Sequence, residues 1–155
     1  MSAAVPPCPF CTAATAAPGQ PEGRLDARGQ ARANARPDAR LLTANEHALA
    51  VRDAFPVSPG HTLVVPRRHV ASLFALTPAE QRAVWELVAR VRSHLDAALR
   101  PDAFNVGLND GPAAGQTVPH AHVHVIPRYE GDVPDPRGGV RWILPARANY
   151  WDTPS

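Results

Sequence analysis

The segment His120-Ala121-His122-Val123-His124 sets imidazoles on alternate residues, just after Gly115-Gln116-Thr117-Val118. In an extended strand successive side chains point to opposite faces. Residues 120, 122 and 124 therefore share one face, and Ala121, Val123 and Val125 share the other. The alternation predicts a strand over His120 to Ile126. A free imidazole titrates near pH ~6.5, so at neutral pH one ring can attack while its neighbour holds a proton. Gly115 allows the backbone to approach a phosphate closely, and nearby amides can meet developing negative charge. Two other readings of these residues stay open: direct metal binding by alternate histidines, or an exposed run without a role.

A chain of 155 residues favours one domain with one core. Residues 12–39 are rich in Ala, Pro, Gly, Gln and Arg and carry almost no large apolar side chain. Such a stretch cannot offset its ordering entropy, and it reads as a flexible insertion. It separates an N-terminal segment, 1–11, from the main domain over 40–130. A tail, 131–155, is expected to pack on the same domain.

Arg40 to Thr43 and Ala48 to Arg52 are short apolar runs around Asn45-Glu46-His47, which predicts a hairpin. Thr62 to Val65, between Pro59-Gly60 and Pro66, predicts a third strand, and Phe104 to Leu108 another. Thr77-Pro78-Ala79-Glu80 combines a cap, a proline in the first helical position and a capping box. Val84, Val88, Val91, Leu95 and Ala98 then form one apolar stripe before Pro101 stops the helix. Strands on either side of one long helix predict an α+β fold with a largely antiparallel sheet.

The run from Asn109 to Arg128, with Asp110-Gly111-Pro112, Gly115-Gln116-Thr117-Val118 and the alternate histidines, resembles a known signature. It is that of the histidine triad superfamily of nucleotide hydrolases and transferases. The wording is similar to the fragile-histidine branch, which cleaves diadenosine polyphosphates. Pro59-Gly60-His61-Thr62-Leu63-Val64-Val65-Pro66-Arg67-Arg68-His69 resembles the family's upstream strand. The resemblance implies a five-stranded antiparallel sheet with one short and one long helix, paired as a homodimer.

The same resemblance implies that His122 is the nucleophile, oriented by the carbonyl of His120, with His124 at the phosphate and leaving oxygen. Gln116 is implied as a further catalytic group. Nucleotide contacts are implied for Asp53, at the ribose hydroxyls, and for Asn109, Gly115, Gln116, Thr117 and His124, at the phosphate. An imidazole nucleophile suits phosphorus because water can hydrolyse the phosphoramidate it forms. The family's transferases carry glutamine in place of the third histidine. His124 is intact here, so the resemblance favours hydrolysis. Asp135-Pro136-Arg137-Gly138-Gly139 is similar to bacterial members and departs from the fragile-histidine branch.

Cys8-Pro9-Phe10-Cys11 holds both cysteines. A disulfide scaffold needs more cysteines and a secreted chain. A redox pair belongs between a strand and a helix, whereas Ala-rich, Pro-punctuated residues follow here. A structural zinc site completed by two histidines is the third reading. The resemblance implies that those histidines are His69 and His120.

A net charge of +2 is too small to argue for bulk nucleic-acid or membrane binding. It is compatible with an anionic nucleotide substrate. No apolar run approaches the ~18 residues of a membrane span. Met1 to Phe10 lacks the basic start and apolar stretch of a signal peptide, so a cytoplasmic location is expected. Phe55 reads as an apolar wall or as core, and His61 as a packed or hydrogen-bonded structural residue or as a ligand contact. Arg128 and Arg137 read as solvated or as contacts to distal phosphates.

Overall fold

The computed structural model describes residues 8–14 and 41–151. A short helix, α1 (Pro9–Ala14), precedes the strands β1 (Leu41–Ala44), β2 (Ala48–Arg52) and β3 (Thr62–Pro66). The long helix α2 (Pro78–Leu99) follows, then β4 (Ala103–Gly107) and β5 (Val123–Arg128), and a short α3 (Pro145–Ala148) closes the described tail. All strand pairs are antiparallel, in the order β1-β2-β3-β5-β4. The α+β class and the five-stranded antiparallel sheet are therefore as expected. Residues 12–14 stand in α1; the rest of the stretch read as an insertion, 15–39, lies outside the described residues.

Alternation decides what each sheet face meets. Ala48, Ala50, Val64, Val123 and Val125 pack with Val84, Leu87, Val88, Val91 and Leu95 of α2. Leu49, Val51, Leu63 and Val65 form a second cluster with Phe10 and Ala13 of α1. His124 pairs with Leu63 across the β3–β5 ladder, so it belongs to the α1 side. The histidines thus occupy the sheet face opposite the long helix. Among the described residues, no helix is long and apolar enough to cross a membrane.

The helix start forms as expected. Thr77 accepts from the Glu80 amide, the Glu80 carboxylate reaches back to the Thr77 amide, and Pro78 opens the helix. The stripe differs at one end. Leu87 is buried within it, whereas Ala98 is exposed and Leu99 takes the inward place, because the helix has rotated past Ala98 by its last turn.

The predicted strand over His120 to Ile126 is corrected. The ladder begins at Val123 and runs to Arg128. Pro66 ends β3, and its carbonyl is taken by the His120 ring at 2.8 Å rather than by a backbone amide. The Ala121 amide donates instead to Val70, at 2.6 Å. Face alternation persists through this approach: Ala121 joins the core with Val123 and Val125.

Gly60 sets the entry to β3. Its φ is +85°, and a Cβ there would lie 2.5 Å from a Leu99 methyl. Side chains rarely adopt that backbone region, so Gly60→Ala should lower the unfolding free energy by more than about 1 kcal/mol. A urea titration matching the wild type would contradict this.

Candidate active site

His120 is fully buried, and both of its ring nitrogens and its carbonyl are in use. Nε2 lies 2.8 Å from the Pro66 carbonyl, which can only accept, so Nε2 carries the proton and Nδ1 a lone pair. The His120 carbonyl lies 2.8 Å from Nδ1 of His122. By the same logic His122 donates through Nδ1, and its Nε2 lone pair is the one left for the cavity that His122 lines.

A second chain of bonds ends on His124. The Val57 amide donates to Nδ1 of His61 at 3.4 Å, so His61 carries its proton on Nε2. That nitrogen lies 2.9 Å from Nδ1 of His124 and 3.5 Å from a carboxylate oxygen of Asp53. His124 is therefore an acceptor at Nδ1 and keeps a proton on Nε2. The His122 and His124 rings stand 5.0 Å apart. Neighbouring imidazoles thus present opposite tautomers, one a lone pair and the other a proton.

Burial favours the neutral forms of His124, His61 and His120. It pushes His124 down to about 4, helped by repulsion from His122 and His61 and opposed by Asp53. Burial also lowers His61, against the raising influence of Asp53. It lowers His120 too, partly offset by the bond to Pro66.

A cavity of about 430 Å³ lies over the two rings. Arg52, Asp53, Thr117, His122 and His124 supply its polar lining, and Phe10, Ala13, Val51, Leu63 and Phe55 are among the apolar walls. That volume falls in the usual range for small-molecule sites. Phe55 is 87% exposed, so it is a wall and not core.

The remaining expected contacts lie around the cavity. Gln116 is committed at both ends of its amide: the oxygen accepts from Gly111 at 2.8 Å, and the nitrogen donates to Ala71 at 2.7 Å. It braces the 111–116 loop against the segment after β3 and does not line the cavity. Gly115, at φ +90°, closes that loop, with Asn109 close beside it. Arg128 is held by Asp132 and Arg137 by Asp135, and Arg137 also stacks on Trp151.

Behind His120, Cys8, Cys11, His69 and His120 bring one donor atom each to within 4.8 Å of one another. Cys8 Sγ lies 3.3 Å and Cys11 Sγ 3.7 Å from Nδ1 of His120, and Cys11 Sγ lies 3.1 Å from Nδ1 of His69. Tetrahedral metal bonds of about 2.3 Å to sulfur and 2.0 Å to nitrogen require S···N separations of about 3.5 Å. His120 presents its lone pair to the thiols because its other nitrogen is bonded to a backbone carbonyl, a common outer support for a metal-bound imidazole. Burial and the adjacent Cys8 push the Cys11 thiol up, a crowding that a divalent cation relieves. The donor set fits a Cys₂His₂ metal centre. Arg68 braces the neighbouring loop by pairing with Glu80 at 2.8 Å.

The HIT domain model matches residues 34–131, more than half of the chain. The chain belongs to the HIT domain family. This HIT domain is 43% identical over 86 residues to an uncharacterised HIT-like protein of Mycoplasma genitalium, covering 56% of this chain and 61% of that protein. It is 46% identical over 77 residues to the asymmetrical bis(5'-nucleosyl)-tetraphosphatase of Schizosaccharomyces pombe, covering 50% of this chain and 42% of that one. A zinc-bound histidine triad family protein from Mycobacterium smegmatis has a similar structure, with a TM-score of 0.62 and 29% identity. That match covers 90% of this chain and 92% of the other. The chain thus spans 61% and 42% of the lengths of these two curated relatives.

Two parts of this HIT domain escaped the sequence reading. His61 links Asp53 to His124 through cross-strand proximity, which local pattern does not reveal. Helix α1, which carries Phe10 into the cavity, was hidden by its short length, although Pro9 at its start and the alanines after Cys11 were signals.

Long-range proton–nitrogen NMR at neutral pH should show His122 protonated on Nδ1 and His124 on Nε2, with His124 neutral until about pH 4. Folding lowers the proton affinity of His61, His120 and His124, so acidification favours the unfolded chain. Stability should be fullest above pH ~6.5 and fall as pH drops from there toward about 4. Denaturant midpoints that stay constant across that window would contradict the assignment.

Proposed function

We propose that this protein hydrolyses nucleotides at the α-phosphate through a nucleotidyl-histidine intermediate, with diadenosine polyphosphates and nucleoside phosphoramidates as the leading substrate classes. The observation that carries this reading is the bond from His122 Nδ1–H to the His120 carbonyl, which leaves a nucleophilic lone pair at the cavity. The named activity of the Schizosaccharomyces pombe relative supports it.

In this reading the base meets the apolar walls at Phe10, Ala13, Val51, Leu63 and Phe55, and Asp53 accepts from the ribose hydroxyls. Thr117 and the His124 Nε2–H meet the phosphate. Gly115, Asn109 and Gln116 shape the loop that carries Thr117. His122 Nε2 attacks phosphorus, an N–P bond forms, and the P–O bond to the leaving group breaks. His124 donates a hydrogen bond to the departing oxygen, and the His120 carbonyl stabilises the charge that develops on the His122 ring. Water then adds at phosphorus and the N–P bond breaks, releasing the nucleoside monophosphate. A phosphorylase or nucleotidyltransferase would share the intermediate and differ only in its acceptor, so assays with added inorganic phosphate separate the readings.

The metal proposed for Cys8, Cys11, His69 and His120 is a structural zinc, which would supply a fixed cross-link between α1 and the approach to β5. Pairing of two copies belongs to the same proposal, and a solution mass of one chain would contradict it.

His122→Asn should lower kcat by more than about 10³-fold while nucleotide affinity changes only a few-fold. Turnover near the wild-type rate would refute the nucleophile. Metal analysis should find about one zinc per chain, lost in Cys8→Ser. A folded, metal-free wild-type chain would contradict the metal centre.

A further inference from the structure

We propose that metal binding by Cys8, Cys11, His69 and His120 and nucleotide binding in the adjoining cavity are thermodynamically linked, each tightening the other. This rests on the nucleotide reading above and adds control of that site by metal supply. Two connections carry it. The first is α1. Cys8 immediately precedes this helix and Cys11 lies within it, and between them Pro9 and Phe10 form part of the cavity wall, with Ala13 one turn on. A helix of 6 residues is not held by its own hydrogen bonds. Among the described residues, Phe10 and Ala13 also hold α1 by apolar contact with Leu49, Val51, Leu63 and Val65. A metal gripping both cysteines fixes the wall where a nucleotide needs it.

The second connection is His120. Its Nδ1 faces the thiols, while its carbonyl orients His122. Phe10 spans both sites, with its ring centroid 5.7 Å from that of His120 and 5.3 Å from that of His122. A nucleotide packed on Phe10 and His122 therefore favours the same placement of α1 as the metal does. The coupling must be equal in both directions.

The test uses the full chain and AMP, the product of the proposed reaction. AMP affinity is measured by calorimetry on zinc-loaded and chelator-stripped protein. Zinc affinity is measured by competition with a chromophoric chelator, with and without saturating AMP. The expected result is a matching gain of about tenfold or more in both titrations. Phe10→Ala should keep its zinc and reduce the factor to near one. Equal zinc affinity with and without AMP, in a chain that binds AMP, overturns the linkage. Failure of the zinc-loaded chain to bind AMP overturns the nucleotide reading, with zinc binding untouched. If the stripped chain unfolds, the cobalt-substituted protein decides: its absorption bands should shift on adding AMP in the wild type but not in Phe10→Ala. Unchanged bands in the wild type overturn the proposal.

Discussion

The hydrogen bond from His122 Nδ1–H to the carbonyl of His120 is the constraint on which the site is built. It selects one tautomer of one ring and leaves the Nε2 lone pair of His122 to the cavity. The bond is only as reliable as the position of residue 120. That position is set by the ring of His120, buried and bonded to the last carbonyl of β3, with its other nitrogen among the thiols. The end of one strand, the N-terminal helix and the proposed nucleophile, His122, therefore share a single anchoring residue. An unpaired buried imidazole would be costly here, so each bond of His120 supports the others.

The neighbouring ring is prepared by different means. His124 receives its tautomer from His61, whose own proton is placed by a loop amide and attracted by Asp53. Burial and neighbouring imidazoles keep it neutral far below the ordinary histidine range. In the proposed reaction a neutral N–H can still donate to a departing oxygen, and it adds no positive charge that would draw the lone pair of His122 away. Preorganised dipoles of this kind act without reorganisation during the reaction. The sheet makes this possible: its other face is packed on α2, so the histidine face can be devoted to the site.

Much of this was legible where it depends on local pattern. The alternate histidines, the capping box of Thr77 and Glu80, and the turn before His61 all act within a few residues of themselves. The features that were missed depend on cross-chain geometry. The ladder starts at Val123 because Pro66 ends the partner strand and the His120 ring takes its carbonyl. The bond of Gln116 to Ala71 joins segments far apart in the chain, which spacing does not indicate. A packed or hydrogen-bonded role is legible for His61, but its partner, His124, emerges only where β3 and β5 lie side by side. In α1, a short helix gained its meaning from the cavity it walls, which nothing in its six residues announces.

Rapid chemical quench of the protein with a radiolabelled dinucleoside polyphosphate, followed by peptide mapping, tests the central claim most directly. The account predicts an acid-labile nucleotidyl group on His122, formed at least as fast as turnover. Turnover without any such adduct, or an adduct on another side chain, would contradict it.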